Sequence, residues 1–152
     1  MSERQAPHRR SDYRHFLSIQ TRWMDNDAYG HVNNVVYYSF FDTVVNEYLI
    51  RSGVLDVARG ATIGLVVETK CSYFSELAFP QTVVGGLRVA RIGTSSVRYE
   101  IGIFSDDRQD ACAQGHFVHV YVDRATRRPT PVPAALRAAL EPIHVRMASP
   151  RE

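Results

Sequence analysis

Apolar residues along this chain recur at two different spacings, and the spacing changes near residue 60. Tyr37, Phe40, Phe41, Val44, Val45, Tyr48 and Leu49 follow the three-and-four rhythm of one helical face, with Ser39, Asp42, Thr43, Asn46 and Glu47 filling the other. Asn33 or Asn34 supplies the N-cap, and Gly53 the C-terminal stop. Many of these residues are β-branched or aromatic, which are mediocre helix formers, so the face pattern predicts the helix and propensity does not. An apolar face this wide needs a broad partner such as a sheet.

From residue 61 the period becomes two. Ile63, Leu65, Val67, Thr69, Cys71 and Tyr73 are expected to share one face of a long strand, and Val83, Gly85, Leu87 and Val89 one face of the next. A hairpin turn at Arg91–Thr94 leads to Val97, Tyr99, Ile101 and Ile103. After a polar turn at Asp106–Asp110, Val118, Val120 and Val122 form a fourth stripe with Phe117, His119 and Tyr121 opposite. Phe16 to Arg22 alternates with Leu17, Ile19 and Thr21 as a short first strand. Pro129, Pro131 and Pro133 break regular structure before a short helix over Ala134–Leu140. Strands joined by hairpins are antiparallel, so one long helix with about five strands predicts a two-layer α+β domain.

The chain has 152 residues, enough for one core and not two. Residues 1–14 lack periodicity and are expected to be a flexible N-terminus, residues 15–141 the domain, and residues 142–152 a C-terminal tail. Eighteen basic and 16 acidic residues leave +2, too little to indicate a nucleic-acid binder. No apolar run approaches a membrane span, and residues 1–15 carry no apolar segment of a secretory signal, so the expected compartment is the cytoplasm. Cys71 and Cys112 lie far apart and outside any CxxC or Cys/His cluster, which argues against zinc and for packing roles.

Candidate chemistry concentrates in Asp25-Asn26-Asp27-Ala28-Tyr29-Gly30-His31-Val32-Asn33-Asn34, between the first strand and the main helix. A helix N-terminus presents N–H groups without partners. A carboxylate beside them could activate water while the N–H groups stabilise an oxyanion. The same residue types are also favoured as caps and turn formers, and composition alone does not choose between the two readings. A calcium loop fits poorly: Asp25-x-Asp27-x-Tyr29-Gly30 begins like an EF-hand, but Tyr29 holds position 5 and Val36 holds position 12.

The run from Arg22 to Asn34, followed by Tyr37 and Asp42, resembles the signature of hotdog-fold acyl-CoA thioesterases, in particular the 4-hydroxybenzoyl-CoA thioesterase-like group. Tyr73-Phe74, Pro80, Gly93-x-Ser95 and the stretch from Arg128-Pro129 to Pro133 extend the likeness over roughly residues 15–140. The resemblance implies a long central helix wrapped by an antiparallel sheet. It also implies subunits paired sheet edge to sheet edge, as a homodimer or homotetramer, with active sites at the interface. It places the attacking or water-activating carboxylate on Asp27 and the carbonyl-polarising backbone N–H on Asn34. Tyr29 and Tyr37 either line the acyl pocket or, as aromatics at helical spacing, belong to the core; Gly30 and His31 shape the turn and pocket, and Asp25 is a turn or orienting residue. No metal or other cofactor is required. The substrate is an acyl-CoA or acyl-carrier thioester, with no nucleic-acid or membrane partner.

The resemblance leaves the CoA phosphates without their basic cluster, because Ile92-Gly93-Thr94 stands where the 4-hydroxybenzoyl enzyme carries it. Arg88, Arg91 and Arg98 are the nearby substitutes, or solvated surface charges. Two other functions compete. A hotdog enoyl-thioester hydratase typically carries Asp-x-Asn-Pro-x-His, and here no proline lies between Asp27 and His31. A non-catalytic acyl-CoA-binding protein has no need of Asp27.

Overall fold

The period-two segments pair into one antiparallel sheet, but neighbours in sequence are not always neighbours in space. The structure is a computed structural model that describes residues 5–56 and 59–146. Its strands are β1 (His15–Gln20), β2 (Thr62–Tyr73), β3 (Thr82–Ile92), β4 (Ser96–Ser105) and β5 (Ala113–Asp123), in the spatial order β1-β3-β4-β5-β2. The long helix α1 spans Val36–Arg51, and a short α2 spans Ala134–Leu140. One long helix against a five-stranded antiparallel sheet is the architecture expected from the sequence.

The apolar face of α1 buries Tyr37, Phe40, Phe41, Val44, Val45 and Leu49. It packs on Leu87, Val97, Tyr99, Ile101 and Ile103 of β3 and β4 and on Phe117 and Tyr121 of β5. Close approach is possible because Gly85 has no side chain: a Cβ there would stand 2.3 Å from a Val44 methyl. Leu136, Leu140 and Ile143 close one end of the core, and the Tyr48 hydroxyl donates to the Ala139 carbonyl at 2.6 Å. Gly53, at φ +73°, ends α1 as expected.

Four sequence expectations require correction. On β5 the core side is taken by Phe117, His119 and Tyr121, while Val118 and Val120 are only half-buried on the other face. The larger rings fill the space under α1, and the Tyr99 and Tyr121 hydroxyls satisfy each other at 2.7 Å. On β2 a bulge between Val66 and Glu68 shifts the register by one residue. Ile63 and Leu65 therefore pair with Val122 and Val120, while Cys71 and Tyr73 pair with Gly115 and Ala113. The predicted single stripe is thus divided between the two faces.

The described part of the N-terminal segment is packed, not frayed. Tyr13 is 3% exposed and lies over Gly86 and Gly102, where any Cβ would meet its ring at 2.7–3.0 Å. The His8 ring is 2.9 Å from the Tyr13 hydroxyl, and Ala111 N–H donates to the His8 carbonyl. The described part of the C-terminal tail is also anchored: Ile143 is buried, and Val145 N–H donates to the Val89 carbonyl at 2.9 Å. Residues 1–4 and 147–152 of the expected termini lie outside the described residues.

Candidate active site

Residues 25–33 form a closed loop before α1. Asn33 N–H donates to the Asp25 carbonyl at 2.8 Å, and Asp27 N–H donates to the His31 carbonyl at 2.9 Å. The tip is a turn in which Gly30 N–H reaches the Asp27 carbonyl at 3.1 Å. Asp27 Oδ1 also accepts from Tyr29 N–H at 2.8 Å, as aspartates at turns do. Gly30 sits at φ +81°, a backbone state that favours glycine.

The two aspartates differ in what their carboxylates touch. Asp25 is 1% exposed and fully engaged: it accepts from Arg22 N–H at 2.7 Å and from the Arg22 guanidinium at 2.8 Å. It is buried, and its contacts tie the two ends of the turn from Arg22 to Asp25 together. Asp27 is partly open, and among the described residues its Oδ2 has no hydrogen-bond partner.

At the start of α1 the backbone amides sort themselves as sharply. Val35 N–H donates to Asn33 Oδ1 at 3.2 Å, Val36 N–H to the Asn33 carbonyl at 2.9 Å, and Tyr37 N–H to the Asn34 carbonyl at 3.4 Å. Asn33 N–H is taken by Asp25. Among the described residues the Asn34 N–H alone in this run of five has no acceptor. Neither Asn33 nor Asn34, the caps expected from the sequence, is the N-cap of α1: that position is Val35, with no side-chain cap, and Asn33 instead closes a side-chain turn onto Val35 N–H just before the helix, while Asn34 is exposed.

Asp27, Tyr29, His31, Asn34 and Tyr37 come together around one cleft of about 430 Å³, completed by Val32, Tyr73, Phe74, Ser75 and Glu76. Of the six predicted site residues, Gly30 does not line it and serves the turn instead. Tyr37 is buried at its floor, in edge-to-face contact with Tyr73 at 5.1 Å, and burial raises its hydroxyl pKa. Tyr29 is at the rim and 87% exposed. His31 Nε2 is 3.0 Å from a Glu76 carboxylate oxygen, again at the exposed rim.

Residues 73–76 reach the cleft from the far end of β2, about 40 positions along the chain, and no local motif singles out their part in it. The Tyr73 hydroxyl donates to the Asn34 carbonyl at 2.9 Å. Among the described residues no group of three or more His, Cys, Asp or Glu side chains is arranged to hold a metal ion.

The profile of the Thioesterase-like superfamily matches residues 21–140, which include the loop, the helix and all strands but β1. The chain belongs to that superfamily. Among solved structures, the PA5185 protein from Pseudomonas aeruginosa strain PAO1 is 54% identical, with a TM-score of 0.88 over 92% of this chain and 97% of its own. The PA2801 protein from Pseudomonas aeruginosa is 34% identical, with a TM-score of 0.78 over 84% of this chain and 98% of its own. Slr0204, a 1,4-dihydroxy-2-naphthoyl-CoA thioesterase from Synechocystis, shares the fold at 14% identity, with a TM-score of 0.76 over 82% of this chain and 93% of its own. As a hotdog-fold member of the thioesterase-like superfamily, this protein is a thioester hydrolase.

Placed against this thioesterase fold, the arginines considered for CoA phosphates divide. Arg88 is neither a surface charge nor free for a ligand. It is 4% exposed, paired with Glu100 at 2.8 Å, and stacked over the Tyr13 ring at 5.4 Å. Arg98 is half-exposed and spans Glu100 and His116. Arg91 is exposed. His116 and His119 face opposite sides of the sheet, as their spacing predicts: His116 meets Glu68 at 2.7 Å, and His119 lies among Tyr99, Phe117 and Tyr121. Among the described residues no helix is long and apolar enough to cross a membrane.

Proposed function

We propose that the protein hydrolyses acyl-CoA thioesters, with the Asp27 carboxylate as base or nucleophile and the Asn34 N–H as oxyanion donor. The observation that carries this reading is the pattern of amides before α1. Among the described residues every neighbouring N–H is paired, the Asn34 N–H is not, and Asn34 shares its cleft with Asp27, one of whose oxygens is likewise without a partner there. An unpaired donor at a helix N-terminus, where the macrodipole adds positive potential, is suited to the negative oxygen of a tetrahedral intermediate.

In the general-base form, Asp27 takes a proton from water as the water oxygen bonds to the thioester carbonyl carbon. The carbonyl oxygen gathers charge against Asn34 N–H. Collapse of the intermediate breaks the C–S bond, the acid leaves, and the thiolate recovers a proton. In the nucleophilic form, Asp27 displaces the thiolate to give a mixed anhydride, which water then opens. Tyr29, His31 and Tyr37 form the walls that receive the acyl part.

The working unit in this proposal is at least a dimer. β2 is an edge strand whose Leu65, Val66 and Val67 are exposed. A long apolar edge calls for a partner strand, and a second copy supplies one beside Tyr73 and the cleft. A monomer in light scattering at micromolar concentration would count against this.

The test is thiol release from short, medium, long and aromatic acyl-CoAs and from acyl-carrier thioesters, with Asp27→Asn alongside at matched oligomeric state. Loss of the Asp27 carboxylate is expected to lower kcat by about 10²–10⁴-fold with the fold intact. Full activity in Asp27→Asn would remove Asp27 from the reaction. Binding of acyl-CoA without turnover would favour a binding protein.

A further inference from the structure

We propose that Tyr73 is a positioning residue that holds the oxyanion donor in place, an inference that rests on the assignment of that role to the Asn34 N–H. The Tyr73 hydroxyl donates to the Asn34 carbonyl at 2.9 Å. The helical partner of the same carbonyl, Tyr37 N–H, is at 3.4 Å, long against the usual ~2.9–3.0 Å of such bonds. The shorter bond to the Asn34 carbonyl thus comes from a different element.

The peptide that carries the Asn34 N–H is held from two directions. On the upstream side, Asn33 is fixed through its amide to Asp25, its carbonyl to Val36 and its side chain to Val35. On the downstream side, the Asn34–Val35 peptide is held by the longer bonds of Val35 N–H to Asn33 Oδ1 at 3.2 Å and of Tyr37 N–H to the Asn34 carbonyl at 3.4 Å, and the shortest bond on it is that of the Tyr73 hydroxyl. Tyr73 is itself set by packing, because its ring meets Tyr37 edge-on at 5.1 Å and 88°. A donor must point at where charge develops, and small misplacements of catalytic groups are costly. Tyr73 acts through Asn34 and need not touch the substrate. Its place at the end of β2 also links the edge strand to the start of the helix.

Tyr73→Phe removes the hydroxyl and keeps the ring. Turnover of the best acyl-CoA by the full-length protein is expected to fall about tenfold in kcat, less than the ~10²–10³ for outright loss of an oxyanion donor. KM should stay within about twofold, as for an interaction made in the transition state. The melting temperature should stay within about 2 °C, since the packing remains. Backbone hydrogen exchange over residues 33–37 should quicken in the variant. Tyr73→Leu, which also loses the ring contact, should lower the melting temperature as well.

An active wild type whose Tyr73→Phe variant is unchanged in kcat and in exchange overturns the role of Tyr73 alone. So does a fall in kcat matched by KM and melting temperature with exchange at 33–37 unchanged, because that is the mark of a merely structural tyrosine. A wild type inert toward every thioester overturns the active-site reading, and the proposal with it.

Discussion

The Asn33 side chain accepts the amide of Val35 while its own amide is held by the Asp25 carbonyl, so one residue both steadies the entry to α1 and closes the loop before it. Asp27 lies inside that closed loop, and Asn34 lies just outside it. The geometry of the cleft therefore depends on a residue that does not line it. Asn33→Ala should cost about 0.5–1.5 kcal/mol, as the loss of a side-chain hydrogen bond to backbone does. For a chain of this size, each kcal/mol lowers the melting temperature by roughly 2–4 °C. The same substitution leaves a second amide, that of Val35, without its acceptor, and kcat should fall with stability. Asn33→Asp keeps an acceptor oxygen and should restore most of both. Thermal melts and kcat for the two variants check this, and an Asn33→Ala protein as stable as wild type would show that this bond carries no weight.

Gly30 is the second device that holds the loop. It sits at φ +81° with nothing within 4 Å of where a Cβ would lie, so a side chain meets strain but no collision. Gly30→Ala should cost about 1–2 kcal/mol, the usual penalty for an L-residue in left-handed backbone. Relief of that strain would disturb the turn that gives Asp27 its contact with Tyr29 N–H. Gly30→Asn, a residue better tolerated in that region, should lose less. Chemical denaturation of the two variants gives the order, and an alanine variant as stable as wild type would contradict it.

Local patterns in the sequence carried much of this structure, and long-range ones did not. The apolar face of α1 was legible because burial there follows one helical period: six of its seven residues are buried, and Tyr48 is half-buried. The loop was legible because its residue types are unusual at that density. The valine stripe of β5 misled, since alternation says which residues share a face and not which face meets the helix. Val67 was misplaced because a bulge leaves no compositional trace. Tyr13 looked unstructured because its packing depends on Gly86 and Gly102, some 70 and 90 residues away. Tyr73 bonds across 39 residues to Asn34 through one hydroxyl, a relation that no periodicity encodes.

On the sheet face away from α1, the buried Arg88 pairs with the half-buried Glu100. Arg88 also donates to the Asp12 carbonyl at 3.1 Å, which ties the N-terminal segment to the sheet. Arg88→Ala should destabilise the protein by about 1.5–3 kcal/mol, because the half-buried Glu100 keeps Arg98 but loses its buried partner. Burial pushes the Glu100 carboxyl pKa up, but the Arg98 and Arg88 guanidiniums outweigh it, and the net shift is downward from the ordinary 4.5. A lowered folded-state pKa gives stability that is present above about 4.5 and lost as pH falls below it. Acid unfolding should therefore shift less in Glu100→Gln than in wild type below that pH. Equal acid sensitivity in the two would mean the pair does not contribute.

His119 defines a different pH window. Its ring is 7% exposed among Tyr99, Phe117 and Tyr121, and its Nε2 has no partner among the described residues. Desolvation lowers its pKa from 6.5 to about 4. The unfolded chain therefore binds a proton between these values while the folded protein does not, and stability must fall as pH drops through that range. The stabilisation is complete above about 6.5 and is lost progressively toward 4, amounting to about 3 kcal/mol by the relation of 1.36 kcal/mol per pKa unit. His119→Phe retains an aromatic ring without a titrating nitrogen and should show a flatter stability profile from pH 7 to 4.5. Urea unfolding of both proteins across that range measures the difference. Parallel profiles would show that His119 is solvated or partnered in solution, and a ring nitrogen titrating near 6.5 by NMR would say the same directly.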